Sequence, residues 1–149
     1  MIDISVATQA DLPDIAQLEQ QVFGNHGYPG FFFRQALDCW PEGLLVARSP
    51  LQLLGYTLWV LGEQEHRDAW LLSLAVASTA RGQGVARQLL NSVLEKTAEC
   101  RRLLLTVDPK NQAALKLYQS AGFVQLTREE DYFSPGEPRL ILVRIADGC

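Results

Sequence analysis

The middle of the chain carries its most regular pattern of apolar and polar residues. Residues 69–77 form an almost unbroken apolar run, which predicts a strand covered on both faces of a sheet. From residue 85 to residue 94, apolar residues recur three and four positions apart, which predicts a helix with one buried face. Small residues and two glycines, Gly82 and Gly84, fill the turn between them. The pattern therefore predicts a strand, a glycine-rich turn and a helix in succession.

A second strand and helix follow. The apolar run 103–107 predicts another core strand, which Asp108 and Pro109 end. Asn111 suits the N-cap of the next helix, and Gly122 suits the left-handed position after its last turn. Four residues at helical spacing share one face of this helix: Asn111, Ala114, Leu115 and Tyr118. That face is apolar except for one amide and one phenol.

The remaining segments complete the order of elements. An alternating stretch at residues 2–7 predicts a strand, and an apolar stripe from Leu12 to Val22 predicts a helix that ends at Gly24. Residues 31–40, which begin with three aromatic residues, predict a short second helix. Further strands are predicted at residues 43–48, 52–61, 123–128 and 139–145. The order is β-α-α-β-β-β-α-β-α-β-β, and because no repeat or linker interrupts it, the sequence predicts a single domain over residues 1–149.

Composition and charge argue against several classes of protein. The formal net charge is −4 and no Lys/Arg cluster occurs, so no nucleic-acid partner is expected. The N-terminus does not have the pattern of a signal peptide, and no apolar run reaches the ~18 residues of a membrane span. Three widely spaced cysteines indicate a reduced chain, for which a cytoplasmic location is expected. The two histidines lie far from any cysteine, so no metal site is predicted.

The glycine-rich turn has the chemistry of an anion site. The first N–H groups of a helix have no partner within the helix, and the dipole makes that end positive. A phosphate-binding P-loop is excluded because no Gly-Lys-Ser/Thr occurs in the chain. A dinucleotide fingerprint beginning at Gly82 is excluded because its last small position is occupied by the bulky Arg87.

Two motifs carry a resemblance to a known family. Arg81, Gly84 and Ala86, directly after a buried strand, resemble the coenzyme A pyrophosphate loop (Q/R)-x-x-G-x-(G/A) of the GNAT superfamily of N-acetyltransferases. Downstream, the arrangement of Asn111, Ala114, Tyr118 and a Gly-Phe pair at 122–123 resembles the same superfamily. Together the motifs cover roughly residues 69–128, and the chain is distantly similar to the ribosomal-protein alanine N-acetyltransferases.

The resemblance implies a fold and an activity. The fold would be α/β (α+β), a mixed sheet of about seven strands flanked by about four helices and splayed between strands 4 and 5, where coenzyme A enters. The activity would be transfer of acetyl from acetyl-CoA, a co-substrate, to the amine of a small molecule, peptide or protein, by direct attack in a ternary complex. No metal is implied, and a homodimer is one assembly that the resemblance leaves open. The alternative is a catalytically silent acyl-CoA-binding sensor or interaction module.

The same resemblance implies the site residues. The backbone of the central strand would hold the pantetheine arm, and the turn would bind the pyrophosphate, with Arg81 adding positive charge. Tyr118 would be the catalytic general acid that protonates the departing thiolate, since an unperturbed phenol with a pKa of about 10 is protonated at neutral pH. The implied coenzyme-binding residues are Leu74, Ala75, Val76, Arg81, Gly82, Gln83, Gly84, Val85, Ala86, Asn111, Ala114 and Tyr118.

The general base and the acceptor are left open. Where the ribosomal-protein enzymes carry a Glu on the second core strand this chain has Thr106, and where some relatives carry one on the central strand it has Ser73. A water relay is one alternative, and loop residues are another: Glu63, Glu65, His66, Asp108 and Asp131. Acidic and aromatic residues in three loops predict an acceptor groove for a cationic amine or a peptide N-terminus. These loops span residues 25–33, 63–68 and 131–133.

Overall fold

The structure is a computed structural model that describes residues 2–62 and 67–146. Its helices and strands follow the predicted order, with bounds within about two residues of the predicted ones. The elements are β1 (Asp3–Val6), α1 (Leu12–Phe23), α2 (Gly30–Cys39), β2 (Leu44–Arg48), β3 (Leu53–Leu61), β4 (Asp68–Val76), α3 (Val85–Lys96), β5 (Arg102–Val107), α4 (Gln112–Ser120), β6 (Val124–Glu129) and β7 (Arg139–Ile145).

The seven strands form one sheet in the order β1-β2-β3-β4-β5-β7-β6. β1, β2 and β3 pair antiparallel, as do β5, β7 and β6, whereas β4 and β5 run parallel. The sheet is therefore mixed, as predicted. The β4–β5 register covers only Asp68–Leu71 against Arg102–Leu105, although β4 continues to Val76. This short register is consistent with the predicted splay, and the predicted fold class is confirmed.

The chain divides into two compact units, which are taken one at a time. The first unit contains residues 1–60 and 73–95, and so α1, α2, the first three strands, the end of β4 and nearly all of α3. Its helices bury one face each, as their apolar spacing predicts. The side chains that line its core include Ile15, Leu18, Phe33, Tyr56, Val85, Leu89, Leu90 and Val93. The single-domain prediction stays a prediction.

Within the first unit, strands β3 and β4 approach closely at Gly55. A Cβ added there would lie 2.7 Å from the carbonyl oxygen of Ala75, and 3.2 Å from side-chain atoms of Val85 and Leu89. Next along the strands, the amide of Ala77 donates a hydrogen bond of 2.8 Å to the carbonyl of Leu54. Only glycine allows this approach, so β3 determines where the carbonyl of Ala75 lies.

The second unit contains residues 61–72 and 96–149. The Arg102 guanidinium donates two hydrogen bonds, of 3.0 and 2.7 Å, to the carboxylate of Asp68, so a bidentate ion pair fixes the start of the parallel β4–β5 register. Asn111 Oδ1 accepts the amide of Ala114 at 3.1 Å, which confirms the predicted N-cap of α4. Gly122 follows α4 with a φ of +94°, the predicted left-handed conformation.

Neither a helix able to span a membrane nor a group of side chains able to hold a metal ion occurs among the described residues. No helix within residues 2–62 and 67–146 is long and apolar enough to cross a membrane. In the same ranges, no three His, Cys, Asp or Glu side chains are grouped so that they could hold a metal ion.

Candidate functional site

The glycine-rich turn joins β4 to α3, in the predicted succession of strand, turn and helix. A short 3-10 turn, Ser78–Ala80, leads from the strand, and α3 begins at Val85. Gly82 and Gly84 have φ values of +78° and +79°, in the left-handed region that L side chains rarely adopt. A Cβ at either position would meet nothing within 4 Å. Backbone conformation, rather than lack of space, is therefore what requires glycine here.

This turn presents the positive end of α3 to its surroundings. Residues 81–84 are exposed, whereas Val85 is buried and anchors the first turn of the helix. The Gln83 side-chain amide donates to the carbonyl of Thr79 at 3.3 Å and links the two ends of the turn. The first N–H groups of the twelve-residue helix have no acceptor within it, and the aligned peptide dipoles add positive potential. The arrangement suits an anion such as a pyrophosphate.

The end of β4 is held from the β3 side. Ala75 is buried, whereas Leu74 and Val76 are half-buried. One face of the strand is therefore in the core and the other is partly exposed. The hydroxyl of Thr57 donates to the carbonyl of Ser73 at 2.8 Å. The first unit thus brings together the predicted strand and turn residues: Leu74, Ala75, Val76, Arg81, Gly82, Gln83, Gly84, Val85 and Ala86.

Three predicted residues lie on α4 in the second unit. Asn111 is exposed and caps the helix, and Ala114 is half-buried one turn later. Tyr118, another turn on, is only 7% exposed and packs edge to face against Phe123 with ring centroids 5.6 Å apart. Burial raises the pKa of the Tyr118 phenol from 10.0 to about 12. The phenol therefore stays protonated over the whole neutral range.

The loop candidates for a general base have structural partners or lie outside the described residues. Asp108 Oδ1 accepts the amide of Lys110 at 2.9 Å, and Asp131 Oδ1 accepts the amide of Gly136 at 2.8 Å, so each carboxylate stabilises its own turn. Thr106 is half-buried on β5. Glu63, Glu65 and His66 lie outside the described residues.

A buried glutamate that the sequence analysis missed lies on α1. Glu19 is 2% exposed. Its Oε2 accepts the amide of Tyr28 at 2.8 Å, and its Oε1 accepts the phenol of Tyr56 and, at 3.2 Å, the hydroxyl of Ser73. The two hydroxyls are themselves 2.9 Å apart. We call Glu19, Tyr56 and Ser73 the buried carboxylate cluster.

Both electrostatics and the sequence pattern mark this glutamate. Burial raises the pKa of the Glu19 carboxyl, while the hydrogen bonds from Tyr28 and Ser73 act in the opposite direction. In the sequence, Glu19 follows Ile15 by four positions and precedes Val22 by three, so it falls on the apolar stripe of α1. Glutamate is almost never fully buried unless it is paired. A charged residue on that stripe was the signal available from sequence.

The aromatic residues of the first predicted acceptor loop differ in burial. Phe33 is fully buried, whereas Phe31 is 69% exposed. Phe32 is half-buried and stacks on Tyr28 with ring centroids 4.3 Å apart. Helical geometry accounts for the split, because three successive side chains point in directions about 100° apart. The groove itself stays a prediction.

The second unit has an aromatic pair in the β6–β7 connection. The rings of Tyr132 and Phe133 meet edge to face at 4.8 Å, and both are exposed. The Arg139 guanidinium lies 5.0 Å from the centroid of the Phe133 ring, a cation–π contact that orders this ring from within the chain.

Comparison with known proteins identifies the family. The model of the acetyltransferase (GNAT) family matches residues 12–123. The N-alpha-acetyltransferase RimI of Mycobacterium tuberculosis is 31% identical over 134 residues, which cover 89% of this chain and 84% of that protein. The N-alpha-acetyltransferase 30 of Saccharomyces cerevisiae is 30% identical over 115 residues, which cover 71% of this chain. The aligned region is 65% of the yeast protein, so this chain spans less than two thirds of that relative's length.

A solved structure agrees with this match. The NatC complex bound to Gag peptide and CoA contains a chain that superimposes with a TM-score of 0.85 at 24% identity, covering 97% of this chain and 98% of that one. At this identity the likeness shows the fold. The family match covers well over half of the sequence and includes the strand, the turn and the later motif at residues 111–123. The chain belongs to the acetyltransferase (GNAT) family.

Proposed function

We propose that the protein transfers an acetyl group from acetyl-CoA to a primary amine by direct attack in a ternary complex. The observation that carries this proposal is the left-handed pair Gly82 and Gly84, which sets an exposed turn at the positive end of α3 directly after β4. A chain of the NatC complex bound to Gag peptide and CoA has the same fold. Acetyl-CoA is the proposed co-substrate, and no metal takes part in the proposal.

The proposed coenzyme site uses backbone groups more than side chains. Leu74, Ala75 and Val76 would offer main-chain groups to the pantetheine arm, as a sheet edge does to an added strand. The amides of residues 83–86 would bind the pyrophosphate, and the exposed Arg81 would add positive charge. Asn111 and Ala114 on α4 complete the proposed set.

Tyr118 is the proposed general acid. As the amine nitrogen attacks the thioester carbonyl, the carbon–sulfur bond breaks and the sulfur leaves with the bonding electrons. The Tyr118 phenol would donate its proton to that sulfur, and its raised pKa of about 12 ensures that the proton is present. The proton lost by the attacking nitrogen passes to a base or to water.

The proposed acceptor is an α-amino group, as at the N-terminus of a peptide or protein. A lysine amine, with a pKa of about 10.4, needs about 3.3 kcal/mol more for deprotonation at a given pH than an α-amine with a pKa near 8. Thr106 and Ser73 occupy the two positions where the resemblance leads one to expect a Glu as general base. An amine that loses its proton readily would react without such a base more easily than a lysine amine. Two relatives are named N-alpha-acetyltransferases, which supports the same choice.

Calorimetry with purified protein tests the proposal first. We expect acetyl-CoA to bind and ATP to bind far more weakly, because the proposed site extends from the turn along β4. Peptides with free and blocked N-termini would then be compared in an assay for released thiol, and only free ones should react. Failure of acetyl-CoA to bind at millimolar concentration would contradict the proposal. Binding without transfer to any amine would favour the silent acyl-CoA sensor.

Replacing Gly84 with Ala should weaken acetyl-CoA binding about tenfold. A side chain in the left-handed region costs roughly 1–2 kcal/mol, so the unliganded turn will relax and binding must restore its strained conformation. Calorimetric Kd values measure the effect. Gly136→Ala is the matched control, since Gly136 has a φ of +80° and open space around a Cβ but lies in the β6–β7 connection. Equal Kd values of the two variants for acetyl-CoA would mean that the turn is not part of the coenzyme site.

A further inference from the structure

We propose that Glu19 is a positioning residue for the acceptor amine, because its carboxylate fixes the connection between α1 and α2 to strands β3 and β4. The inference rests on the proposed function and on the predicted acceptor groove, which includes this connection. It assigns a role to a buried ionisable group that the proposed chemistry of acetyl transfer does not use.

One carboxylate joins three parts of the first unit. Oε2 accepts a hydrogen bond of 2.8 Å from the amide of Tyr28, which lies in the connection. Oε1 accepts the Tyr56 phenol from β3 and the Ser73 hydroxyl, at 3.2 Å, from β4. Hydrogen bonds inside a protein are weakened least by water. Glu19 thus holds the connection at a defined distance from both strands.

The connection is also packed onto the glutamate. A Cβ added to Gly27 would lie 3.0 Å from Glu19 Cγ and 3.1 Å from its Oε2, so glycine allows the backbone to come this close. The next residue, Tyr28, donates its amide to the carboxylate while its ring stacks on Phe32. Glu19 therefore fixes the backbone of Tyr28, and the ring of Phe32 packs on the Tyr28 side chain.

On the strand side, the buried carboxylate cluster ends next to the proposed coenzyme strand. Ser73 directly precedes Leu74, the first of the residues proposed to contact the pantetheine arm. The backbone of Ser73 is fixed in turn by the hydroxyl of Thr57. A path of hydrogen bonds therefore runs from the acceptor connection, through Glu19, to the strand proposed to hold acetyl-CoA. This path is what makes Glu19 a positioning residue for the reaction.

Glu19→Met tests the role at nearly the same side-chain length. Methionine is unbranched like glutamate, but it carries a thioether, only a weak acceptor, in place of the two oxygens. Since the backbone N–H of Tyr28 can only donate, this variant is expected to lose the bond to the connection. Glu19→Gln is the conservative variant, because its oxygen can accept from Tyr28 while its NH2 group donates to the hydroxyls of Tyr56 and Ser73. It is expected to keep the bond.

Steady-state kinetics with an acceptor peptide and acetyl-CoA give the first measurement. For Glu19→Met we expect the acceptor KM to rise about tenfold, as follows from the loss of one buried hydrogen bond, while the Kd of acetyl-CoA stays that of the wild type. Glu19→Gln should restore an acceptor KM close to that of the wild type. Glu42→Met, the same change at an exposed glutamate, is the control and should alter neither constant. Gly27→Ala, which displaces the connection with Glu19 intact, should also raise the acceptor KM alone if Glu19→Met folds poorly.

Hydrogen exchange at the Tyr28 amide gives a measurement that does not depend on activity. Exchange should be about tenfold faster in Glu19→Met and unchanged in Glu42→Met. An unchanged Tyr28 amide with an unchanged acceptor KM would overturn the proposal, as would an equal loss of acetyl-CoA affinity, since Glu19 would then serve the fold as a whole. If the wild type transfers no acetyl group, the proposed function fails, and unchanged exchange at Tyr28 would still reject the role of Glu19.

Discussion

Replacing Tyr118 with Phe should lower kcat about 10²-fold and leave the Kd of acetyl-CoA unchanged. Proton transfer from a positioned side chain raises the reaction rate roughly 10²–10⁴-fold. An acid is most effective when its pKa lies near the working pH. With a pKa of about 12, Tyr118 lies well above the ordinary thiol value of about 8.5, so the lower end of that range applies. Single-turnover rates with saturating acetyl-CoA, beside calorimetric Kd values, measure the two effects separately.

Thr127→Val is the control for this prediction, because it removes a hydroxyl from the same unit at an exposed position on β6. Its kcat should equal that of the wild type. Because the pKa of Tyr118 is raised, its proton is lost only near pH 12, so no decline of kcat between pH 7 and pH 10 should come from this residue. A Tyr118→Phe enzyme with full kcat would exclude the acid role of Tyr118.

The order of elements was predictable because its signals are local. The apolar run at β4, the helical spacing of α3 and the caps of α4 each lie within about a dozen residues of sequence. The conformation of the turn after β4 was predictable for the same reason, since glycines at 82 and 84 precede a helix and adopt positive φ. Such features need no knowledge of distant contacts.

The buried carboxylate cluster was not predicted because its partners are distant in sequence. Tyr56 and Ser73 lie 37 and 54 positions after Glu19. From sequence alone, a glutamate on α1 is expected to face solvent, and only its place on the apolar stripe argued otherwise. Its burial is explained by hydrogen bonds that exist only once α1 packs on β3 and β4, in agreement with the rule that buried polar groups are hydrogen-bonded.

The general base could not be identified from the sequence for a different reason. The sequence offered Asp108 and Asp131 as bases, but it did not reveal that their carboxylates hold the amides of Lys110 and Gly136. Such short-range hydrogen bonds are common in turns and compete with any other role of the side chain. Composition marks a carboxylate as a candidate, whereas its hydrogen-bond partners determine what it does.

Phe33→Ala should destabilise the protein by about 3–5 kcal/mol, the usual cost of removing a buried phenylalanine ring. Phe33 is fully buried, and its ring meets that of Tyr56 edge to face at 5.3 Å. It also contacts the rings of Tyr28 and Phe32, so its loss leaves a cavity beneath the connection between α1 and α2. Urea unfolding followed by circular dichroism measures the change in free energy.

Phe31→Ala is the matched control on the same helix, since its ring is 69% exposed and its removal should cost less than about 0.5 kcal/mol. Equal effects of the two substitutions would contradict the burial of Phe33. Because Tyr56 contacts both Phe33 and Glu19, the cavity should also loosen the hydrogen bond that Glu19 accepts from Tyr28. Faster exchange of the Tyr28 amide in folded Phe33→Ala, but not in Phe31→Ala, would show that the aromatic core and the buried carboxylate cluster hold the connection together.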